Sequence, residues 1–418
     1  MKNTAHGRDV AVVTPWYPTP EHKARGAFVE GMVKATAPGC GDVTVYHTYA
    51  WIVDPDAEDA ATVADAHRSL LPSALRPEPT VAGARLVRVP ALTGRRVAGQ
   101  RSFADLARGH ALWLREALGG EPIPAPVVHA HVGLRGGWTA VENARPDARV
   151  FVTEHASFLA QVLDEPDSRE MYGEVLERCT GFLVVSEALR EQLADAFPAH
   201  AHKIDMISNP IFFDMPRPRP VTELRRWLFV GGLIEHKGVG LLLEAFAKCH
   251  AEDRDLTLTM VGDGRLAKEL AARAVELGVE DAVTLTGALQ PDEALRRMRE
   301  HDVLVHPSRG ETFGVAIVEA VAAGLPVLVT RCGGPQVTLA GVEDAAGEMI
   351  DVDDDPETIV AGYRRLRERF PDGLDLPEAR RVLDERYGHR TVADEHYRHW
   401  FPEGAAADPA GDERTDAP

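Results

Sequence analysis

The sequence predicts an α/β protein with two doubly wound domains, each built on a parallel sheet that carries helices on both faces. The first observation is that short apolar, β-branched runs alternate with helical patterns almost throughout the 418 residues. The second is that this alternation breaks once, at Asp214–Pro220, where three alternating prolines favour a semi-rigid linker. Open α/β sheets bind ligands at the carboxyl ends of their strands, so we expect a cleft between two facing sheet edges.

The predicted strands are short and fall into two groups, one on each side of the linker. The first group is Val10–Thr14, Val43–His47, Leu86–Val89, Val127–His129, Val150–Thr153 and Phe182–Val185. The second group is Trp227–Val230, Leu256–Val261, Val283–Thr286, Val303–His306 and Pro326–Thr330. Helical patterns lie between them, among them Ala27–Ala37, Phe103–Leu118, Glu187–Ala196, Gly238–Cys249 and Leu266–Leu277. Asp54–Pro79, acidic and then proline-bearing, is expected to be an inserted surface loop or an excursion of the first domain.

Composition and charge exclude several classes of protein. Hydrophobic residues make up 44% of the chain and charged residues 27%, which fits a globular protein with full cores. No apolar run reaches the roughly 18 residues of a membrane helix, and residues 1–7 lack the apolar stretch of a secretory signal. The four scattered cysteines show no metal-binding spacing, so we expect reduced thiols in a cytoplasmic protein. A net charge of −19 argues against nucleic acid and against broad docking on anionic lipid, and no stable membrane insertion is expected. Pro402–Pro418 is expected to be a disordered acidic tail.

The segment from His306 to Ala323 carries the strongest functional signal. It places Glu311 and Glu319 on either side of the start of an apolar helix. A charge inside such a helix is unfavourable, so Glu319 needs either a bound polar ligand or an internal basic partner. If the helix opens near Phe313, the unpaired N–H groups of residues 314–316 point outward and favour an anion or phosphate. The pattern predicts a pocket for a hydroxyl-rich, phosphorylated ligand.

Two glycine-bearing turns follow predicted strands in the second half. The segment Gly231–Gly238 leads to Lys237 at a predicted helix start, where a lysine can bind phosphate as a point charge. Alternatively, Lys237 is a solvated surface residue. Gly262 directly follows a strand and would let the backbone approach a flat ligand, although Gly-Asp-Gly is also an ordinary turn.

The first half offers weaker candidates. Gly26 precedes a predicted helix and could face a phosphate, and His155 lies just past a strand, where a polar side chain would face the cleft. A lone histidine is more often structural. The acidic run Asp351–Asp355 is interpreted as a helix N-cap followed by proline, and no metal site is predicted.

Together these segments resemble the retaining glycosyltransferases of family 4, which have the two-domain GT-B fold. The resemblance spans about Val10 to Trp400, and the order and spacing of its motifs make it specific. Its anchors are Gly231–Gly238, Val261–Gly264, Pro307–Val327, Gly333-Gly334, Val185-Ser186 and Ile207–Pro210.

The resemblance implies roles for individual residues. Its catalytic residues would be Lys237 beside the donor diphosphate, Glu311 on the donor sugar hydroxyls and His155 beside the reacting sugar. Glu319 would accept hydrogen bonds from the nucleotide ribose. The full set of implied donor-binding residues is Gly26, Gly232, Lys237, Gly262, Glu311, Phe313, Gly314, Val315 and Glu319. Gly232 stands where the family usually has an arginine, so neutralisation of the leaving diphosphate falls to Lys237, helix N-termini or a substitute.

The resemblance also implies a domain organisation. The acceptor-binding domain would span residues 1–212, a linker 213–222 and the nucleotide-sugar-binding domain 223–383, both domains being Rossmann-like. Residues 384–401 would form a helix that returns to the first domain, and residues 402–418 would be the disordered tail.

The implied activity is retaining transfer of a hexose-like sugar from a UDP- or GDP-type nucleotide sugar to a soluble small-molecule acceptor. The nucleotide sugar is a co-substrate, and neither a cofactor nor a metal is expected. One alternative is a phosphorylase or a nucleotide-sugar epimerase that uses the same cleft. Another is a sugar-nucleotide-binding subunit that has lost catalysis, which the glycine at position 232 motivates.

Overall fold

The computed structural model describes residues 6–53, 60–94, 102–156 and 158–402, which form two α/β domains and a returning C-terminal helix. The first domain contains β1 (Val10–Thr14), α1 (Ala27–Thr36), β2 (Val43–Val53), α2 (Ala60–Ala74), β3 (Glu78–Pro79), β4 (Arg85–Gly94), α3 (Phe103–Ala117), β5 (Val127–His131), α4 (Gly133–Asn143), β6 (Arg149–Glu154), α5 (Leu159–Leu163), α6 (Pro166–Arg178), β7 (Gly181–Val184), α7 (Glu187–Ala196) and β8 (Ile204–Met206).

The second domain begins after residues 207–225, where the chain forms no helix or strand apart from a bridge between Ile211 and Gly388. It contains β9 (Arg226–Val230), α8 (Val239–Glu252), β10 (Thr257–Val261), α9 (Ala267–Glu276), β11 (Val283–Gly287), α10 (Pro291–Glu300), β12 (Val303–His306), α11 (Val315–Ala323), β13 (Val327–Thr330), α12 (Gly334–Thr338), α13 (Glu343–Ala346), β14 (Gly347–Ile350), α14 (Pro356–Arg369) and α15 (Leu376–Tyr387). The last helix is α16 (His389–Trp400).

Both sheets have the doubly wound order that the alternating pattern predicts. The first runs β3-β4-β2-β1-β5-β6-β7-β8, and all its pairs are parallel except the edge pair of β3 with β4. The second runs β11-β10-β9-β12-β13-β14 and is entirely parallel. Central strands such as β1 and β12 are buried along their whole length because helices cover both faces, which explains their unbroken apolar sequences.

Local capping explains where several helices begin. Ser102 and Asp105 form a capping box at the start of α3, and the Ser186 side chain accepts a hydrogen bond from the Leu189 amide at the start of α7. The Asp355 carboxylate accepts from the Glu357 amide at 2.9 Å ahead of α14. The interpretation of this acidic run as an N-cap is therefore confirmed.

The sequence-based prediction was wrong in several places. In the segment Asp54–Pro79, of which residues 60–79 are described, the chain forms α2 and β3, so the segment is an excursion of the first domain rather than a surface loop. The strand β2 is six residues longer than expected because its extension pairs with β4. The edge strand β8 was missed because Asp205 and Met206 are exposed, so its sequence is not an apolar run. The strand β14 was missed because a glycine and a glutamate occupy half of it. Most of the predicted tail, residues 403–418, lies outside the described residues.

The C-terminal helix α16 packs against α1 of the first domain. The Tyr397 hydroxyl donates to the Thr36 carbonyl at 2.7 Å and accepts from the Gly39 amide at 3.1 Å. Trp400, at its end, is fully buried. The helix α16 therefore packs on the first domain, although it follows the second domain in the sequence. Within the described ranges, no helix combines the length and the apolar character needed to cross a bilayer.

Candidate active site

The start of α11 forms a preorganised turn at the carboxyl edge of the second sheet. The helix begins at Val315, and its N-cap Gly314 has a φ of 85°, in the left-handed region. The first amides of a helix lack an acceptor inside it, so they and the positive end of the helix dipole favour an anion here. Phe313 is buried against Tyr387, at 5.1 Å between ring centroids, so only its backbone is available to a ligand.

Glu311 lies just before this turn and holds two basic side chains. Its Oε1 accepts from Lys237 Nζ at 2.5 Å and shares a hydrogen bond with His306 Nε2 at 2.8 Å. Burial alone would raise the pKa of this carboxyl, but the His306 hydrogen bond and the charge of Lys237 lower it to about 2. Glu311 is thus an ionised carboxylate whose Oε2 is left for a ligand.

A close backbone contact brings Lys237 to this position. Gly238, the N-cap of α8, has a φ of 67°, and a Cβ at this residue would lie 2.0 Å from the Pro307 carbonyl oxygen. Only glycine allows the loop before α8 to pack so closely on the loop after β12. The Arg309 amide also donates to the His236 carbonyl at 2.8 Å. The interpretation of Lys237 as a solvated surface residue is therefore wrong.

His306 belongs to this group, and the sequence analysis assigned no role to it. It ends β12, is buried, and stacks on Phe229 at 5.1 Å between ring centroids. The sequence signal that could have identified His306 is its position as the last residue of a buried strand, five positions before Glu311. The loop between His306 and Glu311 brings the two side chains together, and the local sequence does not specify the shape of that loop.

Glu319 faces a cavity of about 240 Å³ that both domains line. Its walls include Lys34, Phe212, Leu295, Arg299, Glu319 and His389. Within the described part of the chain no hydrogen bond or ion pair reaches the Glu319 carboxyl, so no internal basic partner satisfies it. Burial raises its pKa to about 7. This carboxyl is suited to accept hydrogen bonds from a ligand in the cleft.

The raised pKa of Glu319 predicts a pH-dependent stability. The folded protein keeps this proton up to about pH 7, whereas the unfolded chain releases it near 4.5, so stability falls as pH rises between these values. Since one pKa unit equals about 1.4 kcal/mol, Glu319→Gln should exceed the wild type by on the order of 3 kcal/mol above about pH 7 and match it near pH 4.5. Urea unfolding of the ligand-free proteins measures the difference in stability, and a difference that does not change with pH would contradict the assignment.

Three glycines of the predicted site differ in what their backbone requires. Gly26 caps α1 with its backbone against the Trp16 carbonyl, and Gly262, directly after β10, packs against the Gly231 carbonyl. Gly232 has no such constraint. A Cβ there would lie 3.8 Å from Ile234 and 4.0 Å from the Asp263 carbonyl oxygen, which are ordinary contacts. The fold therefore does not require a glycine at position 232.

His155 follows β6 at the carboxyl edge of the first sheet. Its Nε2 shares a hydrogen bond with His131 Nδ1 at 2.9 Å, and its ring lies 4.3 Å from that of Phe28. Burial, followed by the charge of His396, lowers its pKa to about 3, so the ring is neutral at physiological pH. With Nε2 engaged, Nδ1 is the nitrogen available to a ligand.

The two domains face each other across the cleft. Burial and the charge of Asp292 on α10 raise the pKa of Glu30 on α1, so these carboxyls of opposite domains lie within electrostatic range. Lys237, Glu311 and Glu319 belong to the second domain, whereas Gly26 and His155 belong to the first. The predicted residues therefore divide between the two domains, and of them Glu319 lines the cavity between the domains.

Two doubly wound domains with this arrangement define the GT-B class of protein. The fold matches sucrose-phosphate synthase from Thermosynechococcus elongatus with a TM-score of 0.70 and 17% identity, over 94% of this chain and 99% of that one. It also matches Anabaena HepE, solved with UDP and glucose, with a TM-score of 0.64 and 14% identity, over 94% of this chain and 98% of that one.

Family models identify the chain more closely. Residues 70–214 match the model described as Glycosyltransferase Family 4, and residues 225–369 match that described as Glycosyl transferases group 1. The chain belongs to the family 4 glycosyltransferases. A relative is the D-inositol 3-phosphate glycosyltransferase of Segniliparus rotundus, 29% identical over 264 residues. The match covers 57% of this chain and 58% of the relative's length.

Proposed function

We propose that this protein is a retaining glycosyltransferase that moves a hexose-like sugar from a nucleotide diphosphate sugar to a soluble small-molecule acceptor. The observation that carries the proposal is the group formed by Lys237, Glu311 and the start of α11. It joins a cation, an ionised carboxylate and a helix N-terminus at one sheet edge. This chemistry suits a sugar bound through its hydroxyls next to a phosphate.

Each residue of the site is assigned to one portion of the donor molecule. Lys237 and the first amides of α11 would bind the diphosphate, Glu311 Oε2 the sugar hydroxyls, and Glu319 the ribose hydroxyls. Negative charge grows on the diphosphate as the glycosidic bond breaks, so Lys237 and the helix N-terminus stabilise the transition state more than the ground state. The carboxyl of Glu319, which has no hydrogen bond or ion pair among the described residues, supports a hydroxyl-rich neighbour. The Anabaena structure with UDP and glucose supports a nucleotide-sugar donor.

The retaining course is proposed from the resemblance to the retaining glycosyltransferases of family 4, and the state of Glu311 is compatible with it. Its Oε1 already holds Lys237 and His306, and its low pKa makes it a weak nucleophile. We therefore assign Glu311 to sugar binding rather than to a covalent intermediate. Front-face attack by the acceptor, assisted by the leaving phosphate, is the retaining route that the resemblance to family 4 implies, and in that scheme no divalent metal is needed. Closure of the domains around the linker would exclude water and limit hydrolysis of the donor.

The acceptor would enter from the first domain, where His155 Nδ1 is available beside the reacting sugar. The relative from Segniliparus rotundus, named for D-inositol 3-phosphate, supports a polar small molecule in this role. The reaction would take place in the cytoplasm, where nucleotide sugars are made.

A donor panel tests the proposed function. The protein is incubated with UDP- and GDP-sugars with and without a pool of small polyols, and release of nucleoside diphosphate is measured. We expect release that depends on acceptor, and a product whose anomeric configuration matches that of the donor. Phosphate-dependent turnover without a nucleotide would indicate a phosphorylase. Donor binding by calorimetry without turnover would indicate a binding subunit, and absence of any donor binding would refute the proposal.

A further inference from the structure

A second histidine holds the ring of His155 at the carboxyl edge of the first sheet. His131 is the last residue of β5, and its Nδ1 shares a hydrogen bond with His155 Nε2 at 2.9 Å. The ring of Phe28 packs on that of His155, at 4.3 Å between ring centroids. Only 1% of His131 is exposed, whereas His155 is half-buried. His131 can therefore act on a ligand in the cleft only through His155.

The buried carboxyl of Glu154 fixes the backbone on both sides of this histidine pair. Its Oε1 accepts from the His155 amide at 2.8 Å, and its Oε2 accepts from the Gly133 amide at 3.1 Å and from the Tyr172 hydroxyl at 2.8 Å. Gly133 begins α4 and lies two residues after His131. One carboxyl thus connects the end of β5 to the end of β6, and the two imidazole rings are carried on backbones that are fixed relative to each other.

Both imidazole rings are neutral. Burial, followed by the charge of His396, lowers the pKa of His155 to about 3. Burial, followed by the charges of His129 and His155, lowers the pKa of His131 well below its ordinary value. A neutral imidazole carries one ring hydrogen. The bond between the two rings therefore has two possible arrangements, in which either His131 Nδ1 or His155 Nε2 is the donor.

The other ring nitrogen of His131 distinguishes between these arrangements. Its Nε2 is buried, and no described residue gives it a hydrogen-bond partner. If His155 donated, the hydrogen of His131 would lie on Nε2 as a buried N–H without an acceptor, which protein interiors rarely contain. If His131 Nδ1 donates, only a lone pair on Nε2 stays unpaired, and interiors tolerate this better. The second arrangement is favoured, and it places the hydrogen of His155 on Nδ1.

We propose that His131 is a positioning residue that fixes His155 as a hydrogen-bond donor through Nδ1. The inference rests on the proposed function, because it concerns how His155 acts on the reacting sugar. In this state His155 donates to a sugar oxygen. It does not act as a general base, because Nδ1 already carries a hydrogen and the lone pair of Nε2 accepts from His131. A donor that is oriented before the sugar binds requires no reorganisation during the reaction.

NMR of the ligand-free full chain with isotope-labelled histidine tests the position of this hydrogen. Ring nitrogens with and without a hydrogen differ strongly in nitrogen chemical shift, and the signals that disappear in His155→Asn identify His155. We expect Nδ1 of His155 to carry the hydrogen in the wild type and Nε2 to carry none. A hydrogen on Nε2 would overturn the inference, whether or not the protein transfers a sugar.

Two substitutions of equal size at His131 test whether the reaction uses this hydrogen. His131→Asn keeps an N–H donor near the position of Nδ1 and should retain kcat within about threefold of the wild type. His131→Asp places an acceptor there, so that His155 donates through Nε2, and should lower kcat by about 10- to 100-fold. If His131→Asp does not fold, His131→Leu, which has neither a donor nor an acceptor, replaces it with the same expected loss.

The control is a buried histidine on the same strand. His129 shares its hydrogen bond with Thr153 Oγ1 at 2.7 Å rather than with His155. His129→Asn should leave kcat within about threefold of the wild type. A loss in this control as large as that in His131→Asp would overturn the positioning role, because the effect would then come from the packing of β5.

Failure of this inference is distinguishable from failure of the proposed function. Absence of transfer with every donor in the panel would contradict the proposed function, and the NMR measurement would still report the state of His155. Once transfer is established, equal kcat in His131→Asn and His131→Asp would overturn the role of His131.

Discussion

Replacing Glu311 with glutamine is expected to lower kcat by about 100- to 1000-fold, the cost of removing one preorganised electrostatic contact from a transition state. Glutamine keeps the shape of the side chain but removes the charge that holds Lys237 at 2.5 Å. In the proposed mechanism the donor sugar would lose an anionic acceptor, and Lys237 would lose its orientation towards the leaving diphosphate. Steady-state kinetics with the donor that the panel identifies measure the effect.

The control separates catalysis from folding. Glu269→Gln removes the same charge from an exposed position on α9 and should leave kcat unchanged. Calorimetry should show UDP still bound by Glu311→Gln, because Glu319 and the start of α11 remain. Activity of Glu311→Gln within a factor of about three of wild type would remove Glu311 from the catalytic group.

The Glu311–Glu319 segment was predictable because its signal is local. The spacing of the two glutamates, the apolar run between them and the glycine before it lie within a few residues of one another. Such a pattern places a helix start without knowledge of any distant segment. The structure begins this helix at Val315, two residues from the predicted opening near Phe313.

The contacts that give the site its electrostatics were not predictable in this way. His306 reaches Glu311 through a loop whose shape depends on Gly238 packing against the Pro307 carbonyl, a contact 69 positions apart in the sequence. The hydrogen bond between His155 Nε2 and His131 Nδ1 depends on β5 and β6 lying side by side. No local pattern specifies either contact, because each results from the tertiary arrangement of separate βα units.

Lys237→Ala is expected to lower kcat by about 1000-fold, at the upper end for loss of a single transition-state contact. In the described site Lys237 is the cation paired with Glu311, and position 232, where the family resemblance implies an arginine, holds a glycine. The loss should therefore fall on kcat rather than on KM, since charge grows on the diphosphate only as the bond breaks. Single-turnover measurement of diphosphate release separates this chemical step from product release.

A second substitution at Gly232 tests whether this position faces the leaving group. An arginine fits there without backbone strain, because its Cβ would meet Ile234 at 3.8 Å and the Asp263 carbonyl at 4.0 Å. We expect Gly232→Arg to restore about 10-fold of the activity lost in Lys237→Ala, since a guanidinium can bind two phosphate oxygens at once. Ala251→Arg, which adds the same charge at the opposite end of α8, should restore nothing. Equal rescue by the two arginines would mean that net charge, and not a cation beside the diphosphate, controls the reaction.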